Sequence, residues 1–179
     1  AFVRAAAFAW IAAALLHGCA PSRDVSVAGG AGDTRLSSEG LEGELAAIGG
    51  ASAARLAEGI RVTLDSDTLF GTDSAMLRLE SVPAIEAIAK TLLRYPPRRI
   101  AVAAHTDSAG AGEYKMTMTD RQAYSIGELL ADMGVPPSRI ETSGKGCLEP
   151  AAPNATPEGR RANRRVTIDV LPETQTRKK

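Results

Sequence analysis

Residues 100–104 read Ile-Ala-Val-Ala-Ala and run straight into His105, Thr106, Asp107, Ser108, Ala109 and Gly110. A run this short and wholly apolar predicts a central strand covered on both faces, with alanines that leave room for closely packed helices. The fold must be arranged around that strand. The polar turn that follows is carried to the carboxyl end of the sheet, where side chains converge and ligands often bind.

The flanking patterns supply the remaining elements. Ile60, Val62 and Leu64 alternate with Arg61 and Thr63, which predicts a strand with one buried face. Val82, Ile85, Ile88 or Ala89, and Leu92 recur at helical spacing, with Ser81 expected as the N-cap and Pro96-Pro97 as the stop. A second helix is expected to begin at Thr119, to bury Ala123, Ile126, Leu130 and Met133, and to end at Gly134. Residues 140–143 predict a third strand, and residues 165–171 a fourth with Val166, Ile168 and Val170 inward. Residues 150–163 read as a long loop holding one helical turn. The sum is an α+β sandwich, a βαβα unit followed by two strands, with two main helices packed on a mixed four-stranded sheet.

Upstream of this domain the chain has a different character. Residues 1–18 read as a targeting segment: Arg4 is a positive flank, and residues 5–16 are almost wholly apolar. That run, about 12 residues, falls short of the ~20 that cross a bilayer as a helix. Leu16-His17-Gly18-Cys19 resembles the lipobox of bacterial lipoproteins, which implies acyl chains on Cys19. Ala20 rather than aspartate follows, which in such lipoproteins implies sorting to the outer membrane. Residues 19–56 are rich in Gly, Ala and Ser and read as the lipidated Cys and a flexible linker, with a short helix conceivable over 41–48. Residues 57–172 form the folded domain, and 173–179 a basic, solvated tail. With Cys19 lipidated, Cys147 has no partner within the chain and is expected to be a free thiol.

Charge and composition exclude several functions. Twenty-one acidic residues balance 21 basic ones, so no global field favours nucleic acid, and one Trp, three Tyr and three Phe offer little for base stacking. One of the two histidines, His17, lies in the leading segment. That leaves His105 and Cys147, short of the three or four ligands of a zinc site. No Gly-x-Ser-x-Gly elbow or phosphate loop is present, so neither a cofactor nor a catalytic set is expected, and the chain reads as a non-enzyme.

Four pieces recur together: residues 105–110, Tyr114, Thr119-Asp120-Arg121-Gln122-Ala123, and Gly159-Arg160-Arg161-Ala162-Asn163-Arg164-Arg165-Val166. In this order they resemble the OmpA-like peptidoglycan-binding domain, over residues 61–171. The resemblance implies non-covalent binding of peptidoglycan by an outer-membrane lipoprotein that tethers membrane to wall on the periplasmic face. It implies that Asp107 holds the ammonium of diaminopimelate in the stem peptide. That amino acid also displays a carboxylate, so a selective pocket needs a cation at matched distance. The family places an arginine there, and this chain has Gln122. Glutamine loses the charge and the bidentate fork, a loss on the order of 1–2 kcal/mol, or roughly tenfold in affinity.

Each site residue also has a plainer reading. Asp107 fits an Asx turn, and Thr119-x-x-Gln122 fits a capping box. Thr72, Asp73 and Thr106 are expected at the pocket rim, and Arg164 as a ligand contact. Arg160 and Arg161 read as surface ion pairs, His105 as a packed residue ordering the Asp107 loop, and Lys115 stands where the family has asparagine. Compensation for the lost charge is conceivable from Lys115 or the late arginines. Two rival functions stay open. One is a domain that kept the fold but lost the ligand and serves as an assembly module for envelope proteins. The other is a stator-like or secretion-accessory protein with a permanent transmembrane helix.

Overall fold

The computed structural model describes residues 38–95, 98–109 and 112–172. The targeting segment, Cys19, the first part of the expected linker and the basic tail lie outside the described residues. Five strands form one sheet: β1 (Ala51–Leu56), β2 (Gly59–Asp65), β3 (Arg98–His105), β4 (Ile140–Gly146) and β5 (Arg165–Pro172), in the order β1-β2-β5-β3-β4. Only β3 and β4 run parallel; the other neighbours are antiparallel. Among the described residues five α-helices accompany them: α1 (Ser38–Ala46), α2 (Ser66–Leu69), α3 (Val82–Arg94), α4 (Gly112–Asp132) and α5 (Pro157–Asn163).

The α+β architecture is as expected, but the sheet has five strands rather than four. The fifth comes from the segment read as linker. Residues 51–56 pair with β2 in an antiparallel hairpin, Leu56 facing Gly59, and α1 before them buries Leu41 and Leu45 completely. Ala-Ser-Ala-Ala has almost no hydrophobic contrast, so the strand is made by its backbone hydrogen bonds and the sequence period is silent. Gly59 is needed at that hairpin: its φ is 136°, and a Cβ would meet the Val170 carbonyl oxygen at 2.3 Å.

The apolar run 100–104 lies in β3, between β5 and β4. Ile100, Val102 and Ala104 are buried, whereas Ala101 and Ala103 are only half-buried, so the strand is not covered equally on both faces. The other face of the sheet is polar, with Arg61 and Asp169 paired at 2.7 Å across β2 and β5. Alanine on a half-open face reads in sequence like core, which is why the strand looked doubly covered. β5 is the middle strand, and Val166, Ile168 and Val170 are buried as expected.

Two helix starts differ from expectation. Ser81 precedes α3 but sits at φ −87° and ψ −20°, with its hydroxyl donating to the carbonyls of Leu69 and Arg78 instead of capping. Helix α4 begins at Gly112 rather than Thr119. Thr119 is an interior residue: its hydroxyl donates to the Lys115 carbonyl one turn back, at 2.8 Å, and accepts the Gly146 N–H. The capping box with Gln122 is therefore absent. The helix ends as expected at Gly134, φ 96°, where the Val135 N–H reaches the Leu130 carbonyl and the Gly134 N–H that of Ala131, a Schellman motif. Among the described residues no helix is long and apolar enough to cross a membrane.

Candidate functional site

The end of β3 delivers His105, Thr106 and Asp107 to one edge of the sheet. Three other segments meet them: the loop after α2, the first turns of α4, and the junction of α5 with β5 at Arg164. The turn is fixed by its neighbours. The Thr106 N–H donates to the Gly146 carbonyl on β4 (2.9 Å), and the Ser108 N–H donates to Asn154 Oδ1 (3.1 Å). Asn163, fully buried, ties the long loop together by donating to Asn154 Oδ1 and accepting the N–H groups of Ala151 and Ala152.

Asp107 is 8% exposed. Its Oδ1 accepts the Ala109 N–H at 2.9 Å, the Asx turn, and its Oδ2 accepts Nη1 of Arg164 at 2.8 Å. Burial pushes this carboxyl up, but the Ala109 N–H, the Arg164 guanidinium and the more distant Lys115 charge outweigh it and hold it below the usual carboxylate range. It is ionised at neutral pH. Arg164 is a clamp between two carboxylates: Nε and Nη2 go to Asp67 at 2.9 and 2.7 Å, and Nη1 to Asp107. Its hydrogen bonds to Asp67 and then to Asp107 raise its pKa further.

Gln122 is 9% exposed, and its Nε2 donates to the Ser74 carbonyl at 2.9 Å. Beside it the Ser125 hydroxyl donates to the Ala75 carbonyl. Together they pin the loop after α2 onto α4. That loop carries Thr72 and Asp73, both exposed, and Asp73 holds φ 49°, a left-handed conformation uncommon outside glycine. His105 is 3% exposed; burial, then the Arg165 charge, lower its pKa to about 4, so it is neutral at pH 7.

Two adjoining cavities result. One of about 370 Å³ is lined by Thr72, Asp73, Arg78, Thr106, Gln122 and Arg164, among others. The other, about 430 Å³, is lined by Asp73, Thr106, Asp107, Tyr114, Lys115 and Arg164, with Ala109 and Met118. All six residues expected at the pocket are thus brought together, yet Asp107 and Gln122 border different chambers. A wider cavity of about 540 Å³, beside Arg55 and Arg98 at the β1–β2 turn, holds none of them. Arg160 and Arg161 lie outside the site, Arg160 on the Asn154 carbonyl and Arg161 on Asp65. Asp67, Asn154 and Asn163 hold the site together although the sequence does not mark them as site residues. Only Asn163, next to the two arginines of its motif, carried a signal. Among the described residues no group of three His, Cys, Asp or Glu is placed to hold a metal ion.

The pattern of the OmpA family matches residues 69–164, more than half of the chain. The chain belongs to the OmpA family. The probable lipoprotein YiaD of Escherichia coli (strain K12) is 33% identical over 123 residues, 69% of this chain and 56% of that protein. The peptidoglycan-binding protein ArfA of Mycobacterium bovis is 32% identical over 117 residues, 65% of this chain and 36% of that protein. This OmpA-family chain therefore spans about half the length of the first relative and less of the second. Among solved structures, the cell wall anchor of the T6SS from Pseudomonas aeruginosa superposes with a TM-score of 0.67 at 26% identity, covering 78% of this chain and 99% of that one.

Proposed function

We propose that the domain binds peptidoglycan without catalysing any reaction, and that an acylated Cys19 anchors it to the periplasmic face of the outer membrane, so that the protein tethers membrane to wall. One observation carries the binding reading: Asp107, held ionised at the edge of the sheet, borders an open cavity. Such a carboxylate suits an ammonium in a displayed stem peptide, and the relatives named for peptidoglycan binding and cell-wall anchoring point the same way. The lipobox-like Leu16-His17-Gly18-Cys19 and a relative named as a lipoprotein support the anchor. Mass analysis of the mature N-terminus tests it: an unacylated Cys19 removes this part of the reading.

Asp107→Asn keeps an acceptor for the Ala109 N–H and removes the charge. In a pull-down of the mature protein with insoluble peptidoglycan it should reduce retention about tenfold. Equal retention of wild type and variant removes the site.

A second reading has one observation in its favour. The Gln122 amide is already donated to Ser74, so the position that family members fill with arginine has become a loop fastener. On that reading the domain is an assembly module for envelope protein partners. Gln122→Arg separates the two: a large gain in wall binding marks the native pocket as degraded, and little change marks it as complete.

A further inference from the structure

Resting on the peptidoglycan reading, we propose that Lys115 is the cation that receives the ligand's carboxylate, in place of the arginine absent at Gln122. Lys115 is 6% exposed and lines the same cavity as Asp107. Its ammonium makes no hydrogen bond or ion pair among the described residues; its charge acts on Asp107, which lies beyond salt-bridge distance.

The helix makes that placement costly. Lys115 stands in the first turn of α4, where the aligned peptide dipoles favour anions and disfavour cations. A charge kept there, on the wall of a cavity, fits an anion that arrives from outside. The N–H groups at the start of α4 favour the same anion.

The other cations are less available. Arg164 has Nε, Nη1 and Nη2 on Asp67 and Asp107. Arg78 is exposed, lines the neighbouring cavity beside Gln122, and gives its Nε to the Phe70 carbonyl. Asp107 and Lys115 put an anion and an uncommitted cation on the walls of one chamber, with Asp73 a second anion at its exposed rim. A ligand carbon bearing both an ammonium and a carboxylate matches that pair, with the carboxylate turned toward the start of α4.

Calorimetric titration of the mature protein uses two probes: a soluble stem-peptide fragment with free diaminopimelate ammonium and carboxylate, and the same fragment with that carboxylate amidated. Amidation should weaken wild type about tenfold or more. Lys115→Met should lose the same factor for the free carboxylate and show no further loss on amidation, while Lys115→Arg keeps the discrimination. The proposal is overturned if Lys115→Met binds the free fragment as wild type does, or if it weakens both fragments equally. Wild type binding neither fragment would overturn the peptidoglycan reading itself, a different result from any of these.

Discussion

His105 and Asp107 sit two residues apart and both lose their contribution to stability in acid, over different pH windows. The neutral form of His105 is favoured in the fold, where its pKa is about 4 against 6.5 for a free histidine. Between those values the unfolded chain binds the extra proton, so stability rises with pH and is lost as pH falls from about 6.5 toward 4. The amount is about 2–3 kcal/mol at most. Thermal melting across this window should show the decline in wild type and a flatter curve in His105→Gln; parallel curves would remove the assignment. Asp107 works below that window. Its folded pKa is depressed, so its contribution is complete above the ordinary aspartate value and is lost as pH falls through the lower, folded one. Wall binding should therefore persist at pH 5 while overall stability is already declining. At this scale Asp107 was legible, because the polar turn follows an apolar strand directly. Its ties to Arg164, and Arg164's to Asp67, were not, since these partners lie far apart in the sequence and only the fold joins them.

At the scale of elements, α1 and β1 are part of the domain. Leu41 and Leu45 stand one turn apart on α1 and are wholly buried in the common core. Leu41→Ala or Leu45→Ala should each destabilise the protein by about 2–5 kcal/mol, read from urea denaturation, whereas substitutions in a true linker would be silent. Strands β2, β3 and β5 were readable because their side chains alternate or cluster by polarity. β1 was not, because alanine and serine look alike on both faces. The start of α4 was hidden for a related reason: Glu113, Tyr114, Lys115, Met116, Thr117 and Met118 have no apolar period, and Thr119 offered a cap-like residue in the wrong place. The cost of that misreading was functional. Placing the helix start at Gly112 is what puts Lys115 on the wall of the Asp107 cavity.

At the scale of the molecule, the sheet has two poles. Asp107 lies two residues past His105, the end of β3, at one pole. At the other, Arg98 begins β3, faces Pro172 in the register, and gives Nη2 to the Ser38 hydroxyl at 3.2 Å. The described chain thus starts and finishes beside Arg98, about 25 Å of strand from the turn that would grip the wall. Were the two poles drawn apart by a membrane on one side and a stiff mesh on the other, tension would run lengthwise through β3 and its neighbours. Their backbone hydrogen bonds would then be sheared together instead of peeled one at a time, an arrangement suited to a mooring line.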